Sequence, residues 1–473
     1  MTKTFFGSKS RQFMDPVHGG IGALPHEVAC IDHLLFQRLR YIRQNDVAQY
    51  VFSGATQTRF NHSIGVMHVA GKFFRALIEQ YCAESQSDFR ISDKHTDAVY
   101  YVYACFRLAA LLHDTGHFPF SHEFEKTPRI HSLLESSDVL KDFWGRSSLH
   151  QKYAARRLGE NDFVASHEDY SLAIAFKVLS SVAEAGALPV EVDDVLALME
   201  GHSHCPTAKW LDACGNLFEV FEGKASTRAN FSEAFIADKT RQFFAQMISG
   251  ELDVDKMDYM LRDSYFSGAK YGIYNLDHLL STLRIGFNPD TQWVGLAILE
   301  KGVVALEDFV YSRFQIYQNM WSHKSVVGSK LLLAAAIDEA LDPGVIAEVK
   351  TYLSSDHAFC FFTDDYFLEK FRANALRANA PSAIAFLSRK KHRYLDRLVD
   401  AGRDSIAERE IALAKNCRGK VIHRKVNITF SKIRDKEFSS IKVITRGTGG
   451  KRQLKQLQDE SGFFSKFTEK LIV

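Results

Sequence analysis

Apolar residues recur at intervals of three and four over long stretches of this chain, the spacing of one face of an α-helix. The pattern predicts amphipathic helices over His62 to Tyr81, Asp97 to Leu112, Asp169 to Ala185, Asp255 to Phe266 and Phe309 to Leu341. Ala98 to Leu112 is apolar apart from polar interruptions such as Arg107, and it is too short to span a bilayer, so it reads as a buried core helix. The polar stretches Glu84 to Thr96 and Lys126 to Ser148 read as surface loops, the second with room for a short helix. Near Gly419 the texture changes. Lys420 to Phe430 and Ser439 to Thr445 are β-branched and roughly alternating, as strands are, Gly447 to Gly450 reads as a turn, and Gln453 to Leu457 and Phe463 to Leu471 read as short helices. The expected fold is mainly α, with a helical core over 1–330, a helical extension over 331–415 and a small α+β lobe over 416–473.

Composition adds little to this except at one end. Of 473 residues, 46% are hydrophobic and 25% charged, and the formal net charge is +2, so the whole chain favours neither acidic nor basic partners. Arg418 to Lys455, however, holds 12 Lys/Arg against 2 acidic residues. Such a basic tail suits a phosphate or single-stranded nucleic-acid contact, or else a solvated surface that protects a sheet edge. The seven cysteines are odd in number, scattered and without a CxxC pair, as expected of reduced thiols in a cytoplasmic protein. The opening MTKTFFGSKSRQF has no long apolar core, so neither a signal peptide nor a membrane contact is expected.

The chemistry concentrates where the most apolar helix ends. Leu111-Leu112-His113-Asp114-Thr115-Gly116-His117 is followed by Phe118-Pro119-Phe120-Ser121-His122, which brings three histidines and an aspartate into ten residues. Imidazole and carboxylate are good ligands for iron, manganese, zinc or magnesium, yet an adjacent His-Asp pair cannot saturate an ion. Further ligands must come from elsewhere. His62 opens one amphipathic helix, and Asp255, Tyr259, Arg262 and Asp263 share one face of another. From spacing alone, His62 reads first as a core or capping histidine, and the Asp255 face as a solvated, ion-paired surface. His202, His204, Cys205 and Cys214 could suggest zinc, but they read better as incidental loop residues.

Taken in order, these pieces and several others resemble the HD-domain deoxynucleoside triphosphate triphosphohydrolases, a family that includes bacterial dGTPase-like enzymes and eukaryotic members with an added SAM domain. The motifs that carry the resemblance run from Asp15-Pro16-Val17-His18-Gly19 through Phe36 to Gln44, Phe52 to Ala55, Arg59 to Ser63, His113-Asp114, Ser166-His167-Glu168 and Asp253 to Asp263. They end with Tyr311-Ser312-Arg313 and Trp321 to Lys324. The resemblance spans roughly residues 12 to 330, with no SAM domain expected ahead of it.

It implies an all-helical HD core, a divalent metal on His62, His113, Asp114 and Asp255, and a second magnesium brought with the substrate phosphates. It implies catalytic roles for His117, His122 and His167, with Glu168 orienting the last. Arg59, Lys256, Tyr259, Arg313 and Lys324 would hold the triphosphate or line its channel, and Gln44 with Asp263 would read the sugar 3′-hydroxyl. A nucleotide activator would sit at Asp32, Gln37, Arg40 and Lys301, and the assembly would be a dimer or tetramer. Two departures stand out. Trp321 replaces a tyrosine that lies against the sugar C2′ edge, and Leu299, Ala305 and His278 replace polar or basic residues of the activator region.

The activity expected on these grounds is hydrolysis of a dNTP to deoxynucleoside and triphosphate. A phosphodiesterase acting on a cyclic or alarmone nucleotide is the enzymatic alternative. A nucleic-acid-binding protein with a vestigial site is the non-enzymatic one.

Overall fold

The computed structural model describes residues 11–84, 92–146, 148–159, 164–201, 207–222, 231–288, 293–377, 380–390, 441–446 and 452–467. A two-stranded antiparallel ribbon, β1 (Arg11–Asp15) and β2 (Gly19–Ala23), leads into a mainly helical body. At its centre lies α2 (Asp93–Leu112), whose residues from Val102 to Leu112 are all buried. It packs against α1 (Arg59–Glu84), the helix Ala208–Glu222 and α5 (Glu233–Ser249). Phe73 and Phe74 of α1, Tyr103 and Phe106 of α2 and Phe243 and Phe244 of α5 form one aromatic cluster there. Arg107 survives inside this apolar layer because Glu27 takes it in a bidentate pair, with contacts of 2.5 and 2.7 Å.

The residue pattern placed most helices correctly. Besides α1 and α2 these include α4 (His167–Glu184) and α6 (Val254–Ser267). In between, His122–Glu125 forms the single turn α3. Several expectations are exceeded or corrected. The stretch Lys126 to Ser148 is no open loop but carries the helices His131–Glu135 and Asp138–Gly145, because Val139, Leu140 and Phe143 make a short buried face. The continuous helix expected from Phe309 to Leu341 is interrupted: α7 (Val303–Ile316) ends in a π-turn over Tyr317–Trp321, and α8 (Lys324–Ala340) restarts with His323 as its cap. The hairpin β3 (Leu283–Asn288) and β4 (Trp293–Leu299) falls in a stretch for which no strand was expected.

The helix Asp356–Phe359 leads through a short connection into α9 (Asp364–Leu376). Strand β5 (Lys442–Arg446) then joins β4 in parallel, and β6 (Arg452–Gln456) completes a four-stranded sheet in the order β3-β4-β5-β6. Gln453 to Leu457 was expected to be helical, but Gln453 to Gln456, rich in Gln and Lys, instead form a polar edge strand, and only Leu457 opens a helical turn. The expected strand at Lys420 to Phe430, the turn at Gly447 to Gly450 and most of the basic tail lie outside the described residues. So do His202, His204 and Cys205. The described free cysteines Cys30, Cys105, Cys214 and Cys360 are buried. No described helix is long and apolar enough to cross a membrane.

Candidate metal centre

Four side chains from three separate stretches meet at the end of α2. His62 comes from the first turn of α1, His113 and Asp114 from the C-terminus of α2, and Asp255 from the first turn of α6. His62 Nε2 lies 2.9 Å from Asp255 Oδ1 and 3.6 Å from Asp114 Oδ2, and His113 Nε2 lies 3.5 Å from Asp114 Oδ1 and 3.7 Å from Asp255 Oδ1. Donor atoms this close together can share one ion. In both imidazoles Nε2 is buried without a hydrogen-bond partner, while Nδ1 is occupied: His62 Nδ1 meets Asp258 Oδ2 at 2.8 Å, and His113 Nδ1 meets the Ala110 carbonyl at 2.8 Å. Those partners hold a proton on Nδ1 and turn Nε2 inward, where its lone pair is available to an ion once Nε2 carries no proton, as metal-ligating histidines require. The donor set therefore fits a divalent cation.

Asp258 is the residue the sequence reading overlooked. It is fully buried and accepts from Arg262 Nε and Nη2 at 2.8 and 2.9 Å, besides meeting His62 and His18, the latter at 2.7 Å. Arg262 also donates to Asp15, whose other oxygen accepts the backbone amides of Val17 and His18. The Asp-Pro-Val-His-Gly turn and α6 thus brace His62, a candidate metal ligand on α1. The face of α6 expected to be solvated is buried: Asp258, Arg262 and Asp263 have no exposed surface. Gly65 makes this approach feasible, because a Cβ there would collide with Asp258 and Arg262. The signal was available in the sequence, since Asp258 lies one turn beyond Asp255 and one before Arg262.

A second group of histidines adjoins the first across Asp114. His117 Nε2 lies 3.3 Å from Asp114 Oδ1, and its ring stacks on that of His167 with centroids 3.9 Å apart. His122 stands edge-on to both. The carboxylate that serves His167 is Glu125, at 3.0 Å from Nδ1, and it meets His122 Nδ1 at 2.8 Å as well. Glu168, expected in that role, is exposed on the first turn of α4. Gly116 lets α4 come this close, since a Cβ there would strike the backbone of His167 to Ser171.

Charge is arranged asymmetrically over the two groups. Burial works against ionising Asp114, but the adjacent Arg59, His113 and His117 outweigh it and hold its carboxyl far below the usual range. Burial, then Arg59 and His167, push His117 far below an ordinary imidazole. His167 moves the other way, because Glu125 overcomes the cost of its burial.

The remaining expected residues divide between this centre and places away from it. Arg59 pairs with Asp114 and donates to Ser121 Oγ at 2.9 Å. Lys256 is tied to Asp253 and the Gly250 carbonyl, and Arg313 to Glu251 at 2.7 Å. Asp263 is held by Asn45, Gln57 and the Trp321 indole at 2.7, 2.8 and 3.1 Å, not by Gln44, whose Oε1 is buried without a partner. The Trp321 ring also packs against Tyr259 and Tyr317. Its edge is therefore not purely apolar, because its N–H is committed to Asp263. Lys324 is exposed at the start of α8. Of the activator set, Asp32 pairs with Arg11, and Gln37 with Arg40, while Arg40 lies over the Phe60 ring. Lys301 is apart in sequence, in the turn between β4 and α7.

An α-helical body with two ligand-bearing helix ends converging on a His-Asp pair defines a class of protein. Residues 59–215 match the HD domain family, so the chain contains an HD domain. Over 372 residues, 75% of this chain and 50% of the relative, it is 43% identical to the deoxynucleoside triphosphate triphosphohydrolase SAMHD1 of Homo sapiens. It is 26% identical over 377 residues to the mouse protein of that name, covering 76% of this chain and 49% of the relative, and 26% over 334 residues to the uncharacterized YwfO of Bacillus subtilis, covering 70% and 56%. The chain thus spans about half the length of the curated relatives it matches. A crystal structure of a phosphohydrolase from Bacteroides thetaiotaomicron shares the fold at a TM-score of 0.60 and 19% identity, covering 96% of this chain and 94% of that one.

Proposed function

We propose that the chain is a metal-dependent phosphohydrolase that splits deoxynucleoside triphosphates into deoxynucleoside and inorganic triphosphate. The observation that carries this reading is the pairing of two histidine groups across Asp114, each with donor atoms close enough to hold a cation, the first of them completed by the Asp255 carboxylate. The similarity to SAMHD1, named as a deoxynucleoside triphosphate triphosphohydrolase, supports the choice of substrate.

His62, His113, Asp114 and Asp255 would hold the ion, which supplies Lewis acidity and makes water a usable nucleophile near neutral pH. The residues around it then do the rest. Arg59 and Lys256 lie beside the ligands and, once released from Asp114 and Asp253, supply fixed positive charge for phosphate oxygens. Arg313 and Lys324 extend that charge along the triphosphate. His122 and His167, with Nδ1 anchored on Glu125, present Nε2 to the reacting phosphoryl group and can give a proton to the departing 5′-oxygen. The Asp263 carboxylate and Gln44 would receive the sugar 3′-hydroxyl. Trp321, fixed by its bond to Asp263, would close the space that a 2′-hydroxyl needs.

The same proposal includes a nucleotide activator at Asp32, Gln37, Arg40 and Lys301, and a homo-oligomer. Val304 and Tyr311, 68% and 50% exposed on one side of α7, would contribute to the contact between copies. The test is a panel of all dNTPs and NTPs with a cyclic dinucleotide and an alarmone, assayed with manganese, magnesium or cobalt. Turnover confined to dNTPs supports the proposal. Preferential turnover of the cyclic nucleotide or the alarmone moves the chain to the phosphodiesterase alternative.

A further inference from the structure

The backbone between His117 and His122 is strained. Phe120 and Ser121 both take positive φ, +55° and +51°, although neither is glycine, and Ser121 adds a ψ of −123°. Left-handed backbone disfavours any residue with a Cβ, so such a turn persists only where its surroundings impose it. Here the turn is what swings His122 back towards His117 and His167.

The groups that impose it come largely from outside the HD match. Asp364, buried at the start of α9, accepts the Phe120 amide on one oxygen at 2.7 Å and the Arg43 amide on the other at 2.9 Å. Arg38, itself fully buried, donates to the Thr115 and His117 carbonyls at 3.3 and 2.5 Å and to the Phe362 carbonyl at 2.9 Å. Its guanidinium lies 4.1 Å from the Phe359 ring centre. Phe120 is enclosed by Phe367, Phe371 and Phe386. The histidine turn is therefore gripped from one side by a connection about 250 positions further along the chain. In contrast, among the described residues none of the side chains of His62, His113, Asp114 and Asp255 is hydrogen-bonded to that connection.

We infer that Asp364 is a positioning residue: with the Phe359–Phe362 connection it latches the strained His117–His122 turn and so sets the geometry of the histidine group, without contributing to the metal centre. The kinetic half of this inference rests on the function proposed above; the structural half does not.

The test uses the full chain with Asp364→Ala and Asp364→Asn, and Asp365→Ala at the exposed neighbouring position as control. Amide exchange by mass spectrometry is followed in peptides covering residues 117–123 and, for comparison, 98–112 of α2. Asp364→Ala is expected to speed exchange in the first peptide by about tenfold or more and to leave the second unchanged. Manganese bound per chain stays as in wild type, and kcat on a dNTP falls about tenfold or more with little change in KM. Asp364→Asn keeps the volume and one acceptor oxygen, gives a smaller selective effect, and carries the test if the alanine variant does not fold. Wild-type exchange in the 117–123 peptide, equal acceleration in both peptides, or loss of bound manganese overturns the inference. If wild type hydrolyses no nucleotide, the proposed function fails while selective exchange still establishes the latch. If wild type is active and the loosened variant keeps its kcat, the positioning role is wrong.

Discussion

Replacing Asp258 with asparagine changes one atom and leaves the shape intact, yet it should weaken the binding of an ion that Asp258 itself would not contact. The carboxylate faces four donors: His62 Nδ1, His18 Nε2 and two nitrogens of Arg262. An asparagine offers one acceptor and one donor to that ring. If its amide nitrogen faces His62, Nδ1 must accept, the proton moves to Nε2, and the lone pair meant for the ion is lost. If its oxygen faces His62, the nitrogen is set against His18 and Arg262. Changes to groups that orient a ligating histidine typically cost 10–100-fold in affinity, or about 1.4–2.7 kcal/mol. Arg262 keeps Asp15 as counter-ion, so the loss of fold stability should stay below the roughly 3–5 kcal/mol of a fully broken buried pair. Calorimetric titration of chelator-stripped protein with manganese, together with a urea melt, reads both quantities. Wild-type affinity in a folded Asp258→Asn variant would refute the bracing role assigned to Asp258.

Four further outcomes follow from the same geometry. Asp114→Asn should stay folded while activity drops on the order of 10² or more, because the proposed function makes the residue a ligand and the geometry makes it the link between the histidine groups; an active variant contradicts that. Burial opposes charge on His62, but Asp255 and Asp258 outweigh it and raise the imidazole from 6.5 to about 10 in the metal-free chain, so that proton stabilises the apo fold fully below 6.5 and is lost as pH rises through about 10. Since the ion needs Nε2 bare, its affinity should climb with pH and its binding should release a proton, measurable by titration calorimetry in buffers of different ionisation heat; binding without proton release counts against this. Glu27→Gln should cost about 3–5 kcal/mol in a urea melt by leaving Arg107 buried and unpaired, and a loss under about 1 kcal/mol would show that Arg107 finds another partner. Trp321→Ala should raise kcat/KM for ATP relative to dATP, whereas an unchanged ratio removes Trp321 from sugar discrimination.

Much of this was legible in the chain. The 3.6-residue spacing located the central helices because their apolar faces are continuous, and the His113-Asp114 pair announced itself by ending the most apolar of them. His62 and Asp255 were not separable from core and surface residues by spacing, because what brings them together is the packing of α1 against α6. Family resemblance nominated them, and the coordinates supply the distances. Asp258 and Glu125 escaped because each acts through a neighbour and neither lies in a residue pattern unique to ligands. The break at Tyr317–Trp321 escaped because apolar residues continue through the π-turn, and the joining of β4 to β5 escaped because a parallel strand drawn from residue 442 onward is a long-range pairing. Asp364 lies in a region the resemblance did not reach, so its hold on the histidine turn is visible only in three dimensions.

Where the oxygen of water ends up decides the central claim most directly. Metal-loaded protein incubated with a dNTP in ¹⁸O-enriched water, with products resolved by ³¹P NMR and mass spectrometry, should yield deoxynucleoside carrying no ¹⁸O and triphosphate carrying one atom at the phosphorus that was bonded to the 5′-oxygen. Pyrophosphate with deoxynucleoside monophosphate, or ¹⁸O in the nucleoside, would contradict water attack at the α-phosphorus with departure of the 5′-oxygen.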